Sequence, residues 1–245
     1  MKSNNKGPCL ECPAHCASLF NDLPSSELEK IMQKKSVHHF RKGEIIYHQD
    51  TSCFGVHCLE TGTVKTFTQE EDGKEIINRI SKSGDLLGHT SLFGEKKYQE
   101  SAKALEATSC CFIETAEIKE LLQSSPNLSA FFMLRISQEL FESNLRNADM
   151  VRKNVRERLA NYFIKMSKHL GQEKNSQMFF TPHLSREEIA SYIGSAHETV
   201  IRCISEFKEL GHIHQENMTF YILNKDKLNH LSGQTNHEIH SRSEC

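Results

Sequence analysis

Two groups of residues in this sequence have the types and spacing to do chemistry. Near the N-terminus, Cys9, Cys12 and Cys16 are spaced C-x2-C-x3-C in a polar stretch that also holds Gly7-Pro8 and Pro13. The thiolate is the nucleophile and a soft metal ligand. This spacing on an irregular arm lets three thiolates converge on one centre. In a chain with nine cysteines and no apolar leader, clustered cysteines point to metal binding or redox chemistry rather than a disulfide framework. Near the C-terminus, Glu198 and Arg202 stand four residues apart and share a face if they lie on a helix. Arginine can donate a bidentate pair to guanine O6 and N7, and glutamate can accept from cytosine N4. The same pair on an ordinary surface helix is an ion pair worth roughly 0.3 kcal/mol. The surrounding sequence decides between the two.

Those surroundings are specific. Ser185-Arg186-Glu187-Glu188 is a capping box, in which Ser185 accepts from the Glu188 amide and the Glu188 carboxylate reaches back. Ile189, Ala190, Tyr192 and Ile193 give the helix that follows an apolar face, and Gly194-Ser195-Ala196 breaks it. A second helix, over about 196–210, turns Val200, Ile204 and Phe207 inward and stops at Gly211. Two short helices joined by a tight glycine turn make a helix-turn-helix. The outward face carries His197, Glu198, Ile201, Arg202 and Ser205, with Ser195 in the turn, and its first turns are placed to enter a major groove. Ile213, Phe220, Tyr221 and Ile222 predict a hairpin wing turning near Glu216-Asn217. The partner is double-stranded DNA.

The rest of the chain must position these groups. A helix starts at Ser25-Ser26-Glu27, with Leu28, Ile31 and Met32 on one face. From 36 to 115, short apolar alternations are punctuated by Lys42-Gly43, Thr61-Gly62, Asp72-Gly73, Ser83-Gly84-Asp85 and Phe93-Gly94. That pattern predicts an antiparallel β-roll, with Val64–Phe67 and Ile76–Arg79 as a hairpin. Pro126 opens a long helix in which Met133, Ile136, Leu140, Ser143, Asn147 and Met150 repeat every three or four residues. This is an a/d seam over about three heptads, suited to a homodimer. Phe132, Phe141 and Leu145 read as a second stripe. Polar Ser143, Asn144 and Asn147 in mid-seam would make the dimer conditional. A further helix over 154–169 buries Leu159, Tyr162, Phe163 and Met166, with Gly171 at its end, and a polar loop leads to Met178-Phe179-Phe180.

Charge and composition narrow the function classes. Residues 1–151 hold 17 Lys/Arg against 21 Asp/Glu, whereas 152–231 hold 12 against 9. Only the C-terminal module suits a phosphate backbone. No run reaches the roughly 18 apolar residues of a membrane helix, and the N-terminus lacks the apolar segment of a signal peptide, so a cytoplasmic location without membrane association is expected. The sequence shows no nucleophile–base pair, no phosphate-binding loop and no paired carboxylates in a motif context. An enzyme is not expected.

The combination of a β-roll, a long helix and the run HETVIRCISEFKELG resembles the CRP/FNR family of bacterial transcription regulators over about residues 20–225. Its most specific parts are E-T-V-x-R at 198–202, R-E-R-L-A at 156–160, and the turns G-x-V and E-D-G-K-E in the roll. The resemblance implies an α+β fold. Its parts are a Cys-rich arm (1–18), a cyclic-nucleotide-binding-type β-roll (19–125), a dimerisation helix (126–153), a winged helix-turn-helix (154–231) and a polar tail (232–245). It also implies a near-palindromic operator with TGA in each half-site read by Glu198 and Arg202, and RNA polymerase as a partner. Members that bind cAMP use a G-E-L turn and an R-S pair. Here the matching residues are Gly88-His89-Thr90 and Glu100-Ser101, and a glutamate facing the phosphate argues against cAMP.

Within that resemblance, the oxygen-sensing FNR branch draws a fourth thiolate from a segment like A-L-E-T-S-x-x-C. The run Ala104-Leu105-Glu106-Ala107-Thr108-Ser109-Cys110-Cys111 matches it and places the ligand at Cys111. The arm has three residues between its second and third cysteines, where the familiar pattern has five. A [4Fe–4S] cluster on Cys9, Cys12, Cys16 and Cys111 is the implied cofactor, with loss of the cluster to oxygen weakening the dimer. The residues also leave open zinc on the same thiolates, metal-free thiol sensing of redox state, nitric oxide sensing through haem with His89 as a ligand, and an inert arm on a ligand-independent regulator. The choice between Cys110 and Cys111 stays open as well. Cys53, Cys58 and Cys203 read as buried small hydrophobes.

Overall fold

The computed structural model describes Cys12 and residues 24–94, 96–174 and 177–233. Cys9, Cys16 and Cys245 lie outside the described residues. The chain forms two compact units, 1–142 and 143–245, with the boundary inside the long helix.

The first unit opens with helix α1 (Ser25–Lys34), which buries Leu28 and Ile31 as its spacing requires. Strands β1 (Lys35–Phe40), β2 (Ile45–Tyr47), β3 (Gly55–Thr61), β4 (Val64–Gln69), β5 (Glu75–Ser81), β6 (Leu86–Leu87), β7 (Ser101–Ala104) and β8 (Thr108–Glu114) follow. They form two antiparallel sheets, ordered β1-β8-β3-β6 and β2-β7-β4-β5. The expected hairpin is present: β4 and β5 pair from Val64↔Ser81 to Gln69↔Glu75, with an irregularity at Thr66/Phe67. Helices α2 (Thr115–Ser124) and α3 (Pro126–Arg152) close the roll. Leu28, Leu59, Leu87, Ile113, Ile118, Leu128 and Phe132 share one core.

Register assigns the faces of the first sheet. Cys110 lies opposite His38 and Leu59, whereas Cys111 lies opposite Val37 and Cys58. Successive strand residues point to opposite faces, so the two adjacent cysteines serve different ones. The Cys110 face also holds His57, whose ring is 5.7 Å from that of Tyr47 on the second sheet. That face is the interior of the roll. The Cys111 face, with Val56 and Ile113, is the one left for α1 and α2, both of which pack on β8.

Helix α3 is anchored by charge. Glu139 accepts from Arg79 of β5, from His89 Nε2 at 2.9 Å, and from Arg135 Nε at 3.0 Å. Arg135 also donates to Asp85 at 2.5 Å, and Arg79 to the Leu86 carbonyl at 2.8 Å. Burial by itself would raise the Glu139 carboxyl. The His89 hydrogen bond and the charges of Arg79, His89 and Arg135 outweigh it and hold the group at about 2. The sequence pattern did not reveal this network, because its members are 50 and 60 residues apart.

A carboxyl held below its ordinary 4.5 stabilises the fold above that pH and loses the contribution as pH falls toward about 2. Glu139→Gln should therefore cost the first unit about 3 kcal/mol at pH 7, since it removes the carboxylate that half-buried Arg79 and Arg135 share. Urea unfolding should show the gap between variant and wild type closing as pH drops through that window. A gap independent of pH would mean that Glu139 contributes by packing alone.

Candidate functional site

Unit 143–245 is built around helix α4 (Val155–His169). Asn154 caps it: its side chain accepts from the Glu157 amide at 3.0 Å, and Glu157 accepts from the Asn154 amide at 2.8 Å. Phe163 of α4 is wholly buried and meets the rings of Phe180, Phe207 and Phe220 at 6.2, 6.2 and 5.0 Å. These aromatics hold the remaining elements to one core. They come from strand β10 (Gln177–Phe180), helix α6 (His197–Glu209) and strand β12 (Thr219–Ile222).

Helix α5 (Arg186–Ile193) begins with the expected box: Ser185 Oγ accepts from the Glu188 amide at 3.1 Å and Glu188 accepts from the Ser185 amide at 2.7 Å. It ends on Gly194 at φ 64°, a left-handed turn that glycine enters without steric cost. A Cβ there would also meet Met150 Sδ at 2.8 Å. The carbonyls at this helix end find a donor from outside the motif. Arg158 donates from Nε to the Ile193 carbonyl at 2.8 Å and from Nη2 to the Gly194 carbonyl at 2.9 Å, with Nη1 on the Lys153 carbonyl at 2.6 Å. Within R-E-R-L-A, this arginine fixes the turn between the two helices. Arg156 of the same motif pairs with Glu206 of α6 at 2.8 Å.

Helix α6 buries Val200, Cys203, Ile204 and Phe207. His197, Glu198, Arg202 and Ser205 are exposed, Ile201 is 43% exposed, and Ser195 in the turn is half-buried. The five expected base-facing residues and Ser205 therefore avoid the core. The N-cap, Ala196, offers no side-chain acceptor, so the first amides of α6 stay available to water or phosphate. Strand β11 (Ile213–Glu216) and β12 form the wing, turning through Asn217 at φ 53°. Arg186 ties α5 to this wing through Gln215, with its guanidinium 4.9 Å from the Phe220 ring centroid.

Three features here departed from the sequence reading. Strand β9 (Gln172–Lys174) pairs with β10 where a polar loop was expected; its polar, exposed residues carry no apolar alternation. Helix α7 (Lys225–Leu231), capped by Asn224 and packed on α4, spans only seven residues, too few for a periodic signal in the sequence. Gly171 is not a left-handed cap. A Cβ there would lie 1.8 Å from the Ser167 carbonyl oxygen, so close approach is what requires glycine.

Along α3, Met133 is 66% and Leu140 61% exposed, and Ser143 and Asn147 are exposed too. Two of the expected seam residues are half-buried: Ile136, against the first unit's core, and Met150, beside Gly194. The expected second stripe divides, with Phe132 buried and Phe141 and Leu145 exposed. Nine residues separate Phe132 from Phe141, about two and a half turns, which places them on opposite sides of the helix.

The thiol site is partly described. Cys111 is 8% exposed and sits on the helix-covered face opposite Cys58, also 8% exposed. Cys110 is fully buried on the other face, and burial, reinforced by Cys111 and Glu60, pushes its thiol far above the ordinary value. Among the described residues no three metal-binding side chains gather at one point, and two of the expected ligands, Cys9 and Cys16, lie outside them. The donor set itself, thiolates on a polar arm and at a sheet face, fits a soft metal centre.

The residues matching the cAMP-binding positions make contacts within the protein. Glu100 accepts from Asn78 at 3.1 Å, and Ser101 Oγ accepts from the Gln49 amide at 2.9 Å. His89 is almost wholly buried and bonded through Nε2 to Glu139, while its Nδ1 is buried without a hydrogen-bond partner.

Comparison with known proteins gives a consistent picture. Residues 37–125 match the cyclic nucleotide-binding domain and 157–231 the Crp-like helix-turn-helix domain. The transcriptional activator protein anr of Pseudomonas aeruginosa is 31% identical over 193 residues, covering 79% of each chain. The fumarate and nitrate reduction regulatory protein of Escherichia coli (strain K12) is 26% identical over 234 residues, covering 91% of this chain and 92% of its own. The fold is shared with FixK2 from Bradyrhizobium japonicum, at TM-score 0.75 and 22% identity over 82% of this chain and 98% of that one.

Removing the Arg158 side chain strips a charged donor from three backbone carbonyls. Arg158→Ala should lower the stability of the second unit by about 2 kcal/mol, read as a shift in the urea midpoint by circular dichroism. Arg158→Lys, with one compact ammonium, should recover only part of that loss. An unchanged midpoint for Arg158→Ala would show that the turn is held without it.

Proposed function

The chain belongs to the CRP/FNR family of bacterial transcription regulators, and from that premise we propose that it is an oxygen-responsive, cytoplasmic regulator controlled by a [4Fe–4S] cluster. It is a DNA-binding transcription regulator and not an enzyme. The finer reading assigns Glu198 and Arg202 to a TGA-containing half-site, with Ser195, His197 and Ile201 beside them. The observation that carries it is the exposed Glu198–Arg202 face of α6, set by the Gly194 turn and braced by Arg158.

Two copies of α6 can occupy successive major grooves, about 34 Å apart, only if the protein is a dimer. The exposed Met133 and Leu140 of α3, with Phe141 and Leu145 nearby, are the apolar surface such a dimer needs. Ser143 and Asn147 interrupt that surface and keep association weak enough to be conditional. RNA polymerase is the further partner of a regulator of this kind.

Cys9, Cys12, Cys16 and Cys111 would hold the cluster. When bound, it would supply an oxygen-labile link between the arm and β8. Cys111 supports this assignment by its place on the sheet face that α1 covers, and α1 is the element into which the arm leads. Glu139, gripped by β5 and His89, then holds α3 against the same roll, so β8 and the start of the dimer helix belong to one packed unit.

Anaerobic reconstitution with ferrous iron and sulfide should give visible thiolate-to-iron absorbance and an operator-binding dimer. Protein with all four cysteines intact that takes up neither iron nor sulfide would sink the cluster reading. Arg202→Ala should weaken operator binding by about 1–3 kcal/mol per half-site and relax specificity at the contacted base, with iron content unchanged. Normal operator binding by that variant would show that α6 does not read the site through Arg202.

A further inference from the structure

We propose that Cys58 and Cys111 form a redox-active dithiol that hydrogen peroxide converts to a cross-strand disulfide. The two residues are direct partners in the β3–β8 pairing, so their side chains leave the same face of the sheet. Directly opposed antiparallel residues have Cα atoms about 4.5–5.5 Å apart, inside the roughly 4.4–6.8 Å that a disulfide spans. Neighbouring thiols are directed elsewhere. Cys110 is on the interior face with His38 and Leu59. The Cys53 thiol lies 3.7 and 3.8 Å from the Gly55 and Gly88 carbonyl oxygens.

Burial selects the chemistry. Both residues are 8% exposed, so a small oxidant such as hydrogen peroxide reaches them more readily than a bulky one. The Cys111 thiolate attacks one peroxide oxygen, the O–O bond breaks, and with one proton the products are the sulfenic acid and water. The Cys58 thiol then attacks the sulfenic sulfur, and the S–O bond breaks to give the disulfide and a second water. Two thiols lose two electrons in all, and one peroxide gains them. The bond is undone by a reducing dithiol.

The register alone carries the dithiol. Its consequence for metal binding rests on the function proposed above: Cys111 cannot be both a disulfide sulfur and a cluster ligand. Cys58 would then shield Cys111 from irreversible oxidation while no metal is bound, keeping the site ready for reassembly.

The test uses full-length apo-protein treated with hydrogen peroxide, alkylated, and digested with trypsin without reduction. Trypsin releases residues 43–65, with Cys53 and Cys58, and residues 104–119, with Cys110 and Cys111. The expected result is a linked pair two hydrogens lighter than the sum of these peptides, with fragmentation placing the bond at Cys58–Cys111 and dithiothreitol dissolving it. In Cys58→Ser and Cys58→Ala the linked pair should vanish, and dimedone should trap Cys111 as the sulfenic acid. Wild type should regain iron loading after dithiothreitol, whereas Cys58→Ala, its Cys111 carried on to the sulfinic acid, should not. No linked pair in wild type, or one joined through Cys53 or Cys110, overturns the proposal. Failure of every form to load iron even before oxidation counts against the cluster alone and leaves the crosslink result standing.

Discussion

Glu139 is one carboxylate held by Arg79, His89 and Arg135, and what α3 presents to its surroundings depends on that grip. Burial of a charge is costly unless the charge is paired and hydrogen-bonded. This one is, from β5, from the 3-10 turn at His89–Ser91 and from its own helix. The pairing sets the rotation of the first part of α3. Leu128 and Phe132 then face the core, and Met133 and Leu140 face away. The result is a helix with an ionic inner edge and an apolar outer face.

The DNA-reading unit solves a different problem, that of a tight turn between two helices. A helix end leaves carbonyls without internal partners. At Gly194 they are satisfied by the guanidinium of Arg158 from a third helix. The α5–α6 angle is therefore fixed by a side chain outside the motif, and the aromatic cluster around Phe163 fixes that third helix in turn. Glu198 and Arg202 stay exposed on the helix held in this way.

Strand parity governs the thiol chemistry. Cys110 and Cys111 are adjacent in sequence and chemically identical, yet the pleat sends one into the interior, where burial suppresses ionisation, and the other to the face shared with Cys58. A shift of one residue in the β3–β8 register would exchange their roles. The same parity gives Cys58 a role that its apolar surroundings in the sequence concealed.

The sequence by itself determined features that rest on strong local periodicity and local caps: the roll with its hairpin, the long helix from Pro126, the Ser185 capping box, the Gly194 turn and the exposed face of α6. These are set by residues within a few positions of one another, so spacing suffices to read them. Only the tertiary structure decided which groups from distant segments meet. It brought Arg79 and His89 to Glu139, Arg158 to the end of α5, and Cys58 to Cys111. It also separated Phe132 from Phe141 and added β9 and α7, whose short or polar sequences lack a periodic signal. The reason is physical: a hydrogen bond or a strand register joins atoms that are close in space, and nothing in the spacing along one chain encodes which distant partner will be there.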